Sequence, residues 1–298
     1  IEKSGRLWEN RLYWYSYCRN NPLAYTDPDG EVFDLFTEFL IGFLKGLVSN
    51  RNPLIEGLTQ VENGFKVIGG LFAADTKQSG WGWQIVSRLT WESLQTAVGF
   101  LFSDLSVTFG NIQSVDYYAG ATVLKSRYDG LFFNLGGLGI TVGSYIIGSN
   151  EIVATANNWL FQHEYGHYLQ SRASGPAYFE RYAYPSLFDK EVDDSNPKTY
   201  HDYNPVEQDA NARSIKYFYE RNNDDFSWSF YQNPIGYPGR LWTMNDYNTE
   251  RFQNLLKSLK VSVSIEDYFL PIIQGFNNVL YYNDHYIDYE NIYYGRRR

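Results

Sequence analysis

The five residues His163-Glu164-Tyr165-Gly166-His167 constrain this chain more than any other feature. On a helix, positions i and i+4 stand one above the other, so both imidazoles can point at a single ion. A zinc site takes such nitrogens at about 2.0–2.1 Å in tetrahedral geometry. Glu164, next to the first histidine, can reach a water on that ion without binding the metal, and its carboxylate can take the water's proton. A fold that uses the pair must bring a third ligand from elsewhere in the chain and leave one position open. Only four histidines occur in the chain, so this window holds half of them. Asn157 or Asn158 supplies an N-cap for the helix. Gly166 costs helix stability, and its place between the two histidines predicts close approach by another segment.

The third ligand has four downstream candidates, Glu191, His201, Glu207 and Asp209. Residues 204–218 read as a new helix with Pro205 in its first turn, where proline is favourable. Glu207 falls in that turn, and Asn211 lies four residues on, on the same face. Glu207 can therefore bind the ion while Asn211 bonds the outer nitrogen of a ligand histidine. Glu207 ranks first, then His201, then Asp209. His201, between the two helices, is also a candidate donor to an oxyanion, and His285 reads as structural.

Elsewhere the chain reads as α+β, mostly helical, with a small antiparallel sheet before the His163 helix. Phe33, Phe36, Leu40, Phe43, Leu44 and Leu47 recur at spacings of three and four. Pro53 starts a second helix, Leu54–Ala74, and a third periodic run extends from Trp83 to Phe102. Short β-branched or aromatic runs follow at 115–118, 121–124, Leu131–Asn134, Ile140–Ile147 and Ile152–Thr155. Gly148-Ser149-Asn150 reads as the turn of a hairpin between the last two. Residues 281–298 read as irregular surface.

Composition excludes several classes. The 298 residues include 27 Tyr, 20 Phe and 8 Trp, too aromatic for a disordered tail. A net charge of −9 argues against broad nucleic-acid binding, which relies on basic patches. The single cysteine, Cys18, allows neither an intrachain disulfide nor a cysteine-based zinc site. The most apolar stretch, Val32–Val48, is interrupted by Asp34, Glu38 and Lys45, whereas a bilayer span needs about 20 apolar residues. It reads as a buried or amphipathic helix, with a membrane-active helix as the second reading. A chain that starts at Ile1 and has Met244 as its one methionine is expected to be part of a longer polypeptide.

Two resemblances join these observations. Tyr15-Ser-Tyr-Cys-Arg-Asn-Asn-Pro-Leu-Ala-Tyr-Thr-Asp-Pro-Asp-Gly30 resembles the closing segment of the core module of RHS/YD-repeat proteins. In that family a β-cocoon shell precedes a variable domain that is often a secreted toxin or effector. His163-Glu-Tyr-Gly-His167 with Glu207-Gln-Asp-Ala-Asn211 resembles the gluzincin peptidases, in which a Glu from a second helix completes the zinc site. Over residues 139–220 the chain is similar to metallopeptidase domains found after RHS modules. Asn211 departs from the wider pattern, where Asp is usual. The resemblance implies a zincin-like fold with residues 1–30 ending the RHS core, 31–110 helical, and 111–298 the metallopeptidase domain. It also implies Zn2+, a protein or peptide substrate, an immunity protein as a further partner, and delivery from a bacterial cell. An edge strand, Ile140–Ile147 or Ile152–Thr155, would pair with extended peptide. The competing expectation is a non-catalytic domain that perturbs membranes or docks a partner through its N-terminal helices.

Overall fold

A computed structural model describes residues 31–49, 51–78, 80–128, 138–188, 201–222, 226–236 and 242–258. The RHS-like segment, Cys18, Leu131–Asn134, Glu191, His285 and residues 281–298 lie outside them.

Four helices come first: α1 Glu31–Val48, α2 Pro53–Gly69, α3 Gly82–Leu89 and α4 Ser93–Thr108. Asn52 caps α2, its Oδ1 accepting from the amide of Leu54 at 3.1 Å. The single run expected over Trp83–Phe102 is two helices, broken at Thr90-Trp91-Glu92. Thr90 leaves helical geometry (φ −125°, ψ −100°), and the Trp91 indole donates to the carbonyl of Arg172 at 3.0 Å. That long-range anchor overrides the local periodicity.

The sheet contains β1 Ile112–Tyr118, β2 Ala121–Ser126, β3 Gly139–Val142 and β4 Tyr145–Gly148, in the order β1-β2-β4-β3. Ala119 and Gly120 both take positive φ between β1 and β2, as a two-residue hairpin loop with right-handed strand twist requires. The structure corrects the strand reading. Ile140–Ile147 is not one strand but a tight hairpin turning at Gly143-Ser144, and Ile152–Thr155 forms no strand, so the hairpin expected at Gly148-Ser149-Asn150 does not form. The sheet is also mixed, because β2 and β4 are parallel, with Val123 opposite Ile146 and Leu124 opposite Ile147. The reason lies in burial: β4 is buried along its whole length and takes the inner place, which leaves the less apolar β3 at the edge.

Both faces of the sheet are covered. Leu124, Tyr145 and Ile147 pack with Val67 of α2 and Val107 of α4. Val123 and Ile146 face the other way, into the larger core around α5 Trp159–Ser174 and α7 Pro205–Asn222. This alternation follows from the two-residue side-chain period of a strand. Phe161, Tyr165, Tyr168 and Leu169 of α5 meet Ile215 and Phe218 of α7 there. Arg88 of α3, fully buried, ties the layers together. Its guanidinium donates to the carbonyls of Ala73 and Gly120 and to the Tyr168 hydroxyl, the last at 3.0 Å. Short helix α6 Tyr184–Phe188 and, after α7, α8 Glu250–Ser258 complete the described elements.

Candidate metal centre

Helix α5 starts at Asn158, whose Oδ1 accepts from the amide of Phe161 at 2.9 Å; Asn157 instead receives the amide of Ser227. Pro205 opens α7, which places Glu207 in its first turn. The two helices cross closely at Gly166, where a Cβ would lie 2.8 Å from Ala210 Cα and would collide with the Ala210 carbonyl. The close approach expected at this glycine is thus made by α7, and it carries Glu207 to the histidines.

His163, His167 and Glu207 form a group that could hold a metal ion. Glu207 Oε2 lies 3.1 Å from His163 Nε2 and 3.0 Å from His167 Nε2, and the two nitrogens are 3.3 Å apart. Glu207 is fully buried, and its Oε1 has no hydrogen-bond partner.

The outer ring nitrogens are held by side-chain amides. His163 Nδ1 lies 3.0 Å from Asn211 Oδ1, and the Asn211 amide nitrogen donates to the carbonyl of Pro234 at 3.0 Å. His167 Nδ1 lies 2.9 Å from Gln170 Oε1, while the Gln170 nitrogen donates to Val206 O and to Asp209 Oδ2. Each amide nitrogen is committed elsewhere, so each amide oxygen faces a ring and accepts from its Nδ1–H. Both Nε2 atoms are left to face Glu207. Lone pairs aimed at a carboxylate repel, so the cluster requires a cation: protons on the rings or a metal ion among them.

The electrostatics agree. Burial by itself would depress the pKa of His163, but the hydrogen bond and charge of Glu207 outweigh it and lift that pKa to about 9. His167 is raised by the same opposition, the Glu207 charge prevailing over burial. Burial would raise Glu207, and the histidines beside it hold it well below the usual carboxylate range.

Glu164, adjacent to His163, is held at the sheet edge, and its charge acts on both histidines. The Thr141 hydroxyl donates to its Oε2 at 2.7 Å, and Gly139 leaves room for it, since a Cβ there would lie 2.5 Å from Oε1. The Tyr178 hydroxyl in turn donates to Thr141 O at 3.0 Å. His201 sits at the open side with half of its side chain exposed, its Nε2 3.6 Å from Glu207 Oε1.

Asp209, the third-ranked ligand candidate, is not in the trio. It accepts from Arg213 Nε at 2.7 Å and from Gln170, so it positions the residue that holds His167. Sequence reasoning named Asn211 but missed Gln170, Thr141 and Gly139. Gln170 had a signal, lying three residues after His167 and so on the same helical face. Thr141 and Gly139 had none, because only the sheet order brings them to α5. Compared with protein-family models, curated proteins and solved structures, the chain matches none.

Proposed function

We propose that this chain is a zinc-dependent hydrolase of peptide bonds, acting as the effector domain of an RHS-type polypeptide. One observation carries the zinc reading. Two imidazole nitrogens freed by amide-held Nδ1–H groups stand 3.3 Å apart, each about as far from Glu207 Oε2. Ligands at about 2.0–2.1 Å from a tetrahedral centre are separated by about 3.3–3.4 Å, so these atoms already have nearly the spacing of three corners. The N,N,O donor set suits zinc in an open catalytic site.

Zinc held there would supply Lewis acidity and bring the pKa of a water to about 7. The residues do the rest. Glu164, steadied by Thr141 and flanked by Gly139, takes the proton of the attacking water on its carboxylate and passes it to the leaving amine. Strand β3, at the sheet edge beside α5, offers main-chain groups to an extended peptide and aligns the scissile carbonyl. His201, exposed at the mouth, donates to the developing oxyanion. Water attacks directly, and no acyl-enzyme forms. The substrate class is protein or peptide. The RHS-like segment before residue 31 supports delivery from a bacterial cell as part of a larger polypeptide, with the shell and an immunity protein as partners.

Elemental analysis and cleavage of an unfolded protein substrate test this together. Purified protein is expected to carry about one zinc per chain. Glu164→Gln should keep the metal and lose proteolysis by about 10²–10⁴-fold. A correctly folded protein that takes up no zinc, or a Glu164→Gln variant that cleaves as the parent does, would overturn the proposal.

A further inference from the structure

The four-stranded sheet ends in two edge strands, β1 and β3, and the fold treats them differently. Along an antiparallel pair, residues alternately turn their amide and carbonyl towards the partner strand and away from it. In β1, Tyr118 pairs with Ala121 across the two-residue loop, so Val115 and Tyr117 turn their backbone groups outward. Helix α2 meets this edge with side-chain amides. Asn63 Oδ1 accepts from the amide of Val115 at 3.1 Å, and Asn63 Nδ2 donates to the carbonyl of Gln113 at 3.5 Å. Gln60 Nε2 donates to the carbonyl of Ile112 at 3.2 Å. Asn63 and Gln60 are both buried. Unpaired strand edges invite pairing with another chain, and over residues 112–115 that pairing is blocked.

Strand β3 is the other edge. Val142 pairs with Tyr145 across Gly143-Ser144, and in the same register the amide of Ser149 donates to the carbonyl of Leu138 at 3.0 Å. Leu138, Ile140 and Val142 therefore face β4, and Gly139 and Thr141 turn their amides and carbonyls outward. The carbonyl of Thr141 is already taken, by the Tyr178 hydroxyl at 3.0 Å. Neighbouring strands lie about 4.7–4.9 Å apart, so a hydroxyl at that distance puts the Tyr178 ring in the space a further strand would fill. Tyr178 is 2% exposed. The segment that carries it is anchored. Gly175 takes φ +53°, a Cβ there would lie 3.1 Å from the carbonyl oxygen of Trp91, and Gln95 Nε2 donates to the Gly175 carbonyl. Among the described residues, the outward groups of Gly139 have no such partner. Gly139 is partly exposed and stands against Glu164.

On the peptidase reading, we infer that Tyr178 sets the reach of the substrate along β3: an extended peptide pairs at Gly139 and is stopped at Thr141. Gly139 flanks Glu164, so pairing there lies at the scissile bond. The next outward position of the strand is Thr141, two residues on. Beyond it the substrate backbone gains nothing from length, because the Tyr178 ring stands in its place. The resulting selectivity is one of length and position, since strand pairing uses main-chain groups.

Kinetics on peptides nested around one bond that the parent cleaves in unfolded casein, lengthened one residue at a time from either end, are the test. On one flank of that bond, lengthening leaves kcat/KM unchanged. N-methylation of single amides finds the same limit: it lowers kcat/KM at the residue paired with Gly139 and is silent two residues further along that flank. Tyr178→Ala opens the flank. Lengthening there then raises kcat/KM by about 2–10-fold, the worth of one hydrogen bond, and N-methylation at the added position removes the gain. Tyr178→Phe, which keeps the ring, keeps the parent's profile. A tyrosine with only a structural role would change kcat for all lengths alike, and thermal melts read the fold of each variant. If Tyr178→Ala does not fold, the parent's methylation series alone decides. A parent sensitive to methylation at both residues, or a folded Tyr178→Ala with the parent's length profile, overturns the inference while proteolysis stands. A parent that cleaves no peptide bond overturns the peptidase reading and this inference with it.

Discussion

Replacing Gly166 with alanine tests how the proposed metal centre is assembled. The new Cβ would lie 2.8 Å from Ala210 Cα and closer still to the Ala210 carbonyl. Ordinary contact begins at 3.4 Å, so α7 must retreat by about 0.6 Å at the least, because close-packed interiors have no slack to absorb the overlap. Glu207 rides on the first turn of α7, three residues from Ala210, and its Oε2 is 3.0 Å from His167 Nε2. A metal site tolerates about 0.2 Å of ligand displacement, so such a retreat spoils the third ligand. Alanine gains about 1 kcal/mol of helix propensity over glycine, whereas overpacking costs about 1–3 kcal/mol. A net loss of about 0–2 kcal/mol lowers Tm by up to roughly 8 °C, and zinc affinity falls by about 10–100-fold or more. Titration against a chelating dye reads the affinity, and thermal melts with and without zinc read the stability. Unchanged affinity and an unchanged melt would show that the α5–α7 crossing does not set the geometry of the site.

Three further outcomes follow from the same structure. Asn211→Ala and Gln170→Ala each release one histidine ring and should weaken zinc binding by about 10–100-fold while leaving the circular dichroism intact; equal affinity in both would refute the tautomer argument. His163, raised to about 9 by Glu207, is protonated at neutral pH and must lose that proton to bind metal. Calorimetry in buffers of different ionisation enthalpy should therefore show about one proton released per zinc, with affinity rising as pH rises towards 9; a proton count of zero contradicts it. Burial pushes the Glu92 carboxyl up, against the opposing charge of Arg172. The folded state then holds this proton longer than the unfolded one, so stability falls as pH rises from the unfolded pKa of about 4.5 towards the folded value. Glu92→Gln should remove that decline in Tm across mildly acidic pH, and a variant with the parent's pH profile would exclude Glu92 as its source.

The legible parts of the molecule were local. Asn158 and Pro205 marked two helix starts because capping and proline preferences act within one turn. The i, i+4 spacings paired His163 with His167 and Glu207 with Asn211 on shared faces, and those faces do meet. The break at Thr90 was hidden because its cause, Trp91 on the carbonyl of Arg172, is about eighty residues away in sequence. The hairpin within Ile140–Ile147 was missed although Gly143-Ser144 separates two β-prone runs, because each run is only three residues long and the eight together have the length of one strand.

By itself, the sequence determined the histidine pair, the helical spacing that makes it convergent, a ranking that puts Glu207 first among the candidates for a third donor, and the α+β character of the chain. Tertiary structure alone decided the order of the strands, and with it the arrival of Thr141 and Gly139 at Glu164. It decided that Asp209 supports Gln170 instead of joining the trio. It also turned Leu40, Leu44 and Leu47 of α1 and Leu94, Val98, Leu101 and Leu105 of α4 outward. Periodicity reports which residues share a face; it carries no information about what that face meets, because that depends on elements distant in the chain and on the surrounding medium.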